Sequence, residues 1–180
     1  MKRFLIVASI LAVALTGGFL WQRNVHAQEG ALMTEEHIVR IRSNCVEAQS
    51  SLNQLHASDA LLRVNQGRQY ELISTRLMAP FNSRVALNKL DGTNLTAAAV
   101  DYERELAAFR VNYKSYEESM SKALKINCTN QPVSFYDNVG DARAKRKVVH
   151  TNTVNLNNII QKYKDEFELL AKTLPKGSIR

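Results

Sequence analysis

Two cysteines, four histidines and one dense basic run are the groups in this 180-residue sequence best suited to chemistry. Cys45 and Cys128 are too few for a thiolate-based zinc site or a small disulfide scaffold, and no CxxC spacing is present. They would pair with each other in an exported protein; otherwise Cys45 is a small reduced residue of a helical seam. Glu36 and His37 offer two adjacent ligand types, but neighbours on a helix point about 100° apart, and the pair reads as a solvated helix start. His56 follows the apolar Leu55 and reads as a residue flanking a packed face. The basic run is Arg143, Lys145, Arg146 and Lys147 around a single alanine. Such a run can meet the phosphates of nucleic acid or anionic lipid. Without interleaved aromatics it reads instead as a solvated helix face, and no nucleic-acid partner is expected. Tyr102, Tyr113 and Tyr116 share an apolar seam, so they read as core rings with hydroxyls at the edge. There is no Gly-rich phosphate loop, HExxH or G-x-S-x-G. An enzyme would need a site assembled from His56, Glu47 or Tyr70, which their spacing does not justify. The expectation is a non-enzyme with no metal and no cofactor.

The N-terminus says where these groups are to be found. Lys2 and Arg3 precede an uncharged apolar run over residues 4–15, and the apolar character continues to Trp21. Val25 and Ala27 place small residues at the −3 and −1 positions of a signal-peptide cut between Ala27 and Gln28. The segment before that cut is long and contains Arg23, so an uncleaved anchor over residues 4–21 stays open; that length is the lower limit for a spanning helix. Either way residues 28–180 are expected outside the cytoplasmic membrane, secreted or periplasmic if the segment is cut and membrane-anchored if it is not. The whole chain has 24 Lys and Arg against 17 Asp and Glu; without the first 27 residues the basic count falls to 21. That is a mildly basic domain, without the charge of a nucleic-acid binder.

The elements that must position these groups are helices. Leu95, Ala99, Tyr102, Leu106, Phe109, Tyr113, Tyr116, Met120 and Ala123 alternate steps of four and three without a polar interruption. A second seam runs Val139, Ala142, Arg146, Val149, Thr153, Leu156, Ile160, Tyr163, Phe167, Leu170 and Leu174, with Arg146 and Thr153 as poor core residues. A third opens Ile38, Ile41, Cys45, Ala48, Leu52 and Leu55, then returns at Leu62 and Ile73. Asp59, Gln66 and Gln69 interrupt it around Gly67, so that stretch should pack more loosely. No window of comparable length alternates with period two, so no strand is expected. Asn94 is a candidate cap for the second helix, and Ser134 with Asp137 resembles a capping box for the third. Pro80 disfavours helix at Ala79 and should end or kink the first helix there. The expected fold is all-α: an elongated antiparallel three-helix bundle with coiled-coil-like packing after an N-terminal apolar helix. Its helices would span about 34–79, 95–125 and 134–173 within a domain of residues 28–174, with a cap over 80–94 and a tail over 175–180.

This register bears on the cysteines. In a straight helix to Leu90 the hairpin would centre near residue 92, and Cys128 would miss Cys45 by about 16 Å at helical rise. If the first helix ends at Ala79 and the second starts at Leu95, the two cysteines stand at one height. A Cys45–Cys128 bridge is expected on that basis, as is usual for a pair of cysteines in an exported protein.

The stretches Leu52-Asn53-Gln54-Leu55-His56, Ala60-Leu61-Leu62-Arg63-Val64-Asn65, Lys125-Ile126-Asn127-Cys128-Thr129 and Pro132-Val133-Ser134-Phe135-Tyr136 resemble uncharacterised exported or membrane-anchored helical proteins of small-genome bacteria. The likeness covers most of residues 34–172 and implies no function. Small basic periplasmic holdase chaperones share the size, charge and long helices, but their mature chains open with a β-strand that residues 28–36 do not provide. The favoured functional expectation is a non-enzymatic envelope scaffold, adaptor or surface-interaction module, binding a protein partner or a second copy of itself. The alternative is a ligand-sensing or holdase-like periplasmic binding module with a pocket near the polar window Asp59–Gln69.

Overall fold

A computed structural model describes residues 33–174, which are helical almost throughout, with no strand among them. The expected cut at Ala27 and Gln28, the apolar run over residues 4–21 and the tail over 175–180 lie outside the described residues. Helix α1 is Glu35–Ser43, α2 is Cys45–Leu72, a π-helical turn occupies Ile73–Met78, α3 is Ala79–Leu87, α4 is Thr93–Lys125 and α5 is Pro132–Thr173. Among the described residues no helix is long and apolar enough to cross a membrane.

The helix does not end at Ala79. Ala79 keeps right-handed helical angles (φ −63°, ψ −50°), and its N–H reaches back five residues to the carbonyl of Ser74. Pro80 has no N–H to give, and its ring would press on the carbonyl four residues earlier. The wider π turn immediately before it relieves that clash, so the chain stays helical to Leu87. The expected cap over 80–94 is therefore mostly helix. The turn itself is short. Leu90 N donates to Val85 O at 3.1 Å and Lys89 N to Ala86 O at 3.0 Å, with Lys89 at φ 55°. This is a Schellman ending with lysine in the position glycine usually fills. Gly92 fits against the buried Val85, where a Cβ would stand 2.6 Å from Cγ1.

All nine positions of the α4 seam are buried or half-buried, including Leu95, Tyr102, Leu106, Phe109 and Tyr116. The closest helix pair is α4 with α5, while α2 approaches α4 at fewer places. Around Gly67, where looser packing is expected, the helix lies close to α4: Gly67 and Tyr70 are buried, and a Cβ at Gly67 would stand 3.8 Å from the Phe109 ring. Leu62, expected to rejoin the seam, is half exposed, and Asp59, read as an interruption, is the buried residue. The starts of α4 and α5 also differ from expectation. Thr93 rather than Leu95 opens α4, with its N–H bonded to Asp91 Oδ1 at 3.1 Å. Pro132 opens α5 at the position where a missing N–H costs nothing, so Ser134 lies inside the first turn and does not cap it.

Cys45 and Cys128 are joined, with Cα atoms 5.5 Å apart, and pack with Phe135. The bridge coexists with a continuous helix through Pro80, so it does not depend on a first helix ending at Ala79. Asp59 meets Tyr116 and Ser74 meets Glu103, several residues earlier on α4 than a hairpin centred at 92 would give. Beyond Lys125 the chain is extended at Ile126 (φ −79°, ψ 128°) and covers more length per residue than a helix. These two effects bring Cys128 level with Cys45.

Candidate functional site

Midway along the helices, the polar interruptions of two different seams meet. Arg146 on α5 donates from Nε to Asp59 Oδ2 at 2.6 Å and from its terminal nitrogen to Oδ1 at 2.9 Å. Tyr116 on α4 donates its hydroxyl to the same Asp59 Oδ2 at 2.6 Å. Three helices are thus joined through one carboxylate whose side chain is 10% exposed, against 49% for Arg146. Burial pushes the Asp59 carboxyl up, but the hydrogen bonds from Arg146 and Tyr116 and the arginine charge outweigh it and hold it below its ordinary value. The Tyr116 hydroxyl is raised, first by burial and then by its bond to Asp59.

Helix geometry explains why these residues meet. Asp59 occupies an inward register position that an apolar residue would otherwise hold, and Arg146 does the same on α5. Each alone would be a costly polar group in a seam; together they form a forked, charge-assisted pair. One turn away His56 pairs with Glu117, which also accepts the Tyr113 hydroxyl at 3.2 Å. Burial, and next the Glu117 charge, push Tyr113 up to about 12. On the α4–α5 side, Asn112 donates to Asn152 at 2.8 Å and Asn152 to Glu105 at 2.7 Å. Among the described residues no fully buried side-chain polar atom lacks a partner.

The basic run does not act as one face. Arg146 turns inward to Asp59, Lys145 donates to Ser119 at 2.6 Å and pairs with Asp141 at 3.0 Å, and Arg143 and Lys147 are exposed. The residues weighed for an enzyme do not converge. Glu47 is exposed, His56 is engaged by Glu117, and Tyr70 is buried with its carbonyl accepting from Tyr102 at 3.0 Å. All three are strung along α2, with Tyr70 about 20 Å beyond His56 at helical rise. Among the described residues no group of three or more His, Cys, Asp or Glu could hold a metal ion.

No family model, curated protein or solved structure matches this chain.

Beside the Asp59 cluster lies an open groove of about 180 Å³ between α2 and α5. Arg63 and Gln66 stand on one wall, Arg146 and His150 on the other, and Phe109 and Tyr113 of α4 form the floor. Reading the sequence as separate seams missed this convergence. The signal available was that each seam carries polar residues one heptad apart, Asp59 and Gln66 on one and Arg146 and Thr153 on the other, with opposite charge at the first members.

Proposed function

We propose that this chain is a non-enzymatic extracytoplasmic scaffold or adaptor: an elongated antiparallel three-helix bundle with coiled-coil-like packing, closed at one end by Cys45–Cys128. The observation that carries the proposal is the Asp59–Arg146–Tyr116 junction. Asp59, Arg146 and Tyr116, and beside them His56 and Glu117, are engaged with one another across helices, which sets register and alignment. The disulfide supports an oxidising compartment. Apolar side chains left outward on α2, among them Leu61 and Val64, offer contact area to a protein partner or to a second copy.

Cross-linking in intact cells, with mass-spectrometric identification of neighbours, tests this reading. A reproducible protein neighbour linked through the outer faces of the helices is the expected result. A solitary monomer that turns over a substrate, and loses turnover in His56→Ala, would overturn it.

A further inference from the structure

We infer that the groove beside the Asp59–Arg146 pair binds a single phosphate group. This goes beyond the scaffold reading, and neither depends on the other. The charge balance of the groove motivates it. Its lining holds two guanidinium groups and one carboxylate, and Asp59 is already engaged by both Arg146 and Tyr116. The Arg63 guanidinium lies 5.6 Å from the centroid of the Tyr113 ring, which steadies it, and it makes no hydrogen bond or ion pair among the described residues. Gln66 and His150 also face the groove with side-chain nitrogens that no described residue engages.

The arrangement selects among anions. Arg63 and Gln66 are three apart on one helix and Arg146 and His150 four apart on another, so donors stand on both walls. A planar carboxylate is matched by one guanidinium fork, whereas a tetrahedral phosphate offers acceptors to two walls at once. The volume of about 180 Å³ is below that of a pocket for a drug-sized molecule, and it suits one small group with its nearest waters. Leu62 and Val149 in the lining leave an apolar border for whatever carries that phosphate.

Isothermal titration calorimetry of the isolated protein with inorganic phosphate, in phosphate-free buffer at fixed ionic strength, tests the inference. A parallel sedimentation assay uses phosphatidylglycerol vesicles, with phosphatidylcholine vesicles as the uncharged comparison. The expected result is saturable one-to-one binding in at least one arm. Arg63→Gln should weaken it at least tenfold and His150→Gln at least threefold, with unchanged thermal unfolding. Arg143→Gln, an exposed member of the same basic run, should change it less than twofold. Binding to free phosphate identifies a soluble phosphate ligand; Arg63-dependent binding to vesicles alone identifies a lipid headgroup. Absence of binding in both arms overturns the inference. So does binding that ignores both Arg63→Gln and His150→Gln, or that falls equally with Arg143→Gln.

Discussion

Removing Arg146 should cost more stability than neutralising Asp59, although both changes break the same ion pair. Arg146→Ala deletes two short hydrogen bonds to a carboxylate that is 10% exposed, leaving it with only the Tyr116 hydroxyl. Stranding a buried charge costs about 3–5 kcal/mol; partial solvent access at the half-exposed arginine end brings the expected loss to about 3 kcal/mol. Asp59→Asn leaves the survivor at that wetter end, where the guanidinium reaches water, and should cost about 1.5 kcal/mol. The two variants also differ with pH. In the native chain Asp59 stands below its ordinary value, so its contribution is present above the unfolded carboxylate range and is lost as pH falls through the lower folded value. Without Arg146, burial dominates and raises that carboxyl, so protonation relieves the variant and its deficit narrows with acidification. Urea unfolding followed by circular dichroism at pH 7.5 and pH 5, with the disulfide intact, measures both effects. An Asp59→Asn loss equal to that of Arg146→Ala at pH 7.5, or a deficit that does not narrow at pH 5, would refute the reasoning.

Four further outcomes are expected. Lys89→Gly should stabilise the protein by about 1 kcal/mol, because glycine adopts the left-handed conformation at φ 55° without strain; thermal unfolding reads this. Gly92→Ala should cost about 1–3 kcal/mol from the 2.6 Å clash with Val85, and adding Val85→Ala should recover less than the full loss because Val85 is itself buried. Gly140→Ala, where a Cβ meets nothing within 4 Å on an exposed helix face, should instead gain about 0.5–1 kcal/mol by the same measurement. Replacing both cysteines by serine should cost about 4–5 kcal/mol on the chain-entropy account of a bridge with sequence separation 83; denatured, unreduced native protein should take up no alkylating label.

Much of the core was legible because α4 carries an unbroken seam and the apolar effect needs no partner identity to declare which face turns inward. Tyr102, Leu106, Phe109 and Tyr116 are buried as their spacing requires. Pro80 was harder to read. Local preference predicts a stop, but a π turn offers a way through that no side-chain pattern announces. The Asp59 junction was half legible. Asp59 and Arg146 each stand out as a polar break in an apolar seam, yet their pairing depends on how two helices are aligned, which neither seam contains. The groove was half legible too: a pocket near the polar window Asp59–Gln69 is expected from α2 alone, and Asp59, Arg63 and Gln66 do line it, but its second wall on α5 and its floor on α4 are set by helix alignment.

The bridge also changes how the molecule would carry tension. A pull applied between a point before Cys45 and a point on α5 travels through the sulfur–sulfur link and bypasses the whole hairpin of α2, the π turn, α3 and α4. Only α1 and α5, with the short loop ahead of α5, lie in the loaded path. With the bridge closed, some 83 residues are withheld from extension, on the order of 280 Å of slack at extended-chain length. Reduction would release that slack, so the thiol state of two residues fixes how far the C-terminal helix can be drawn from the start of the domain.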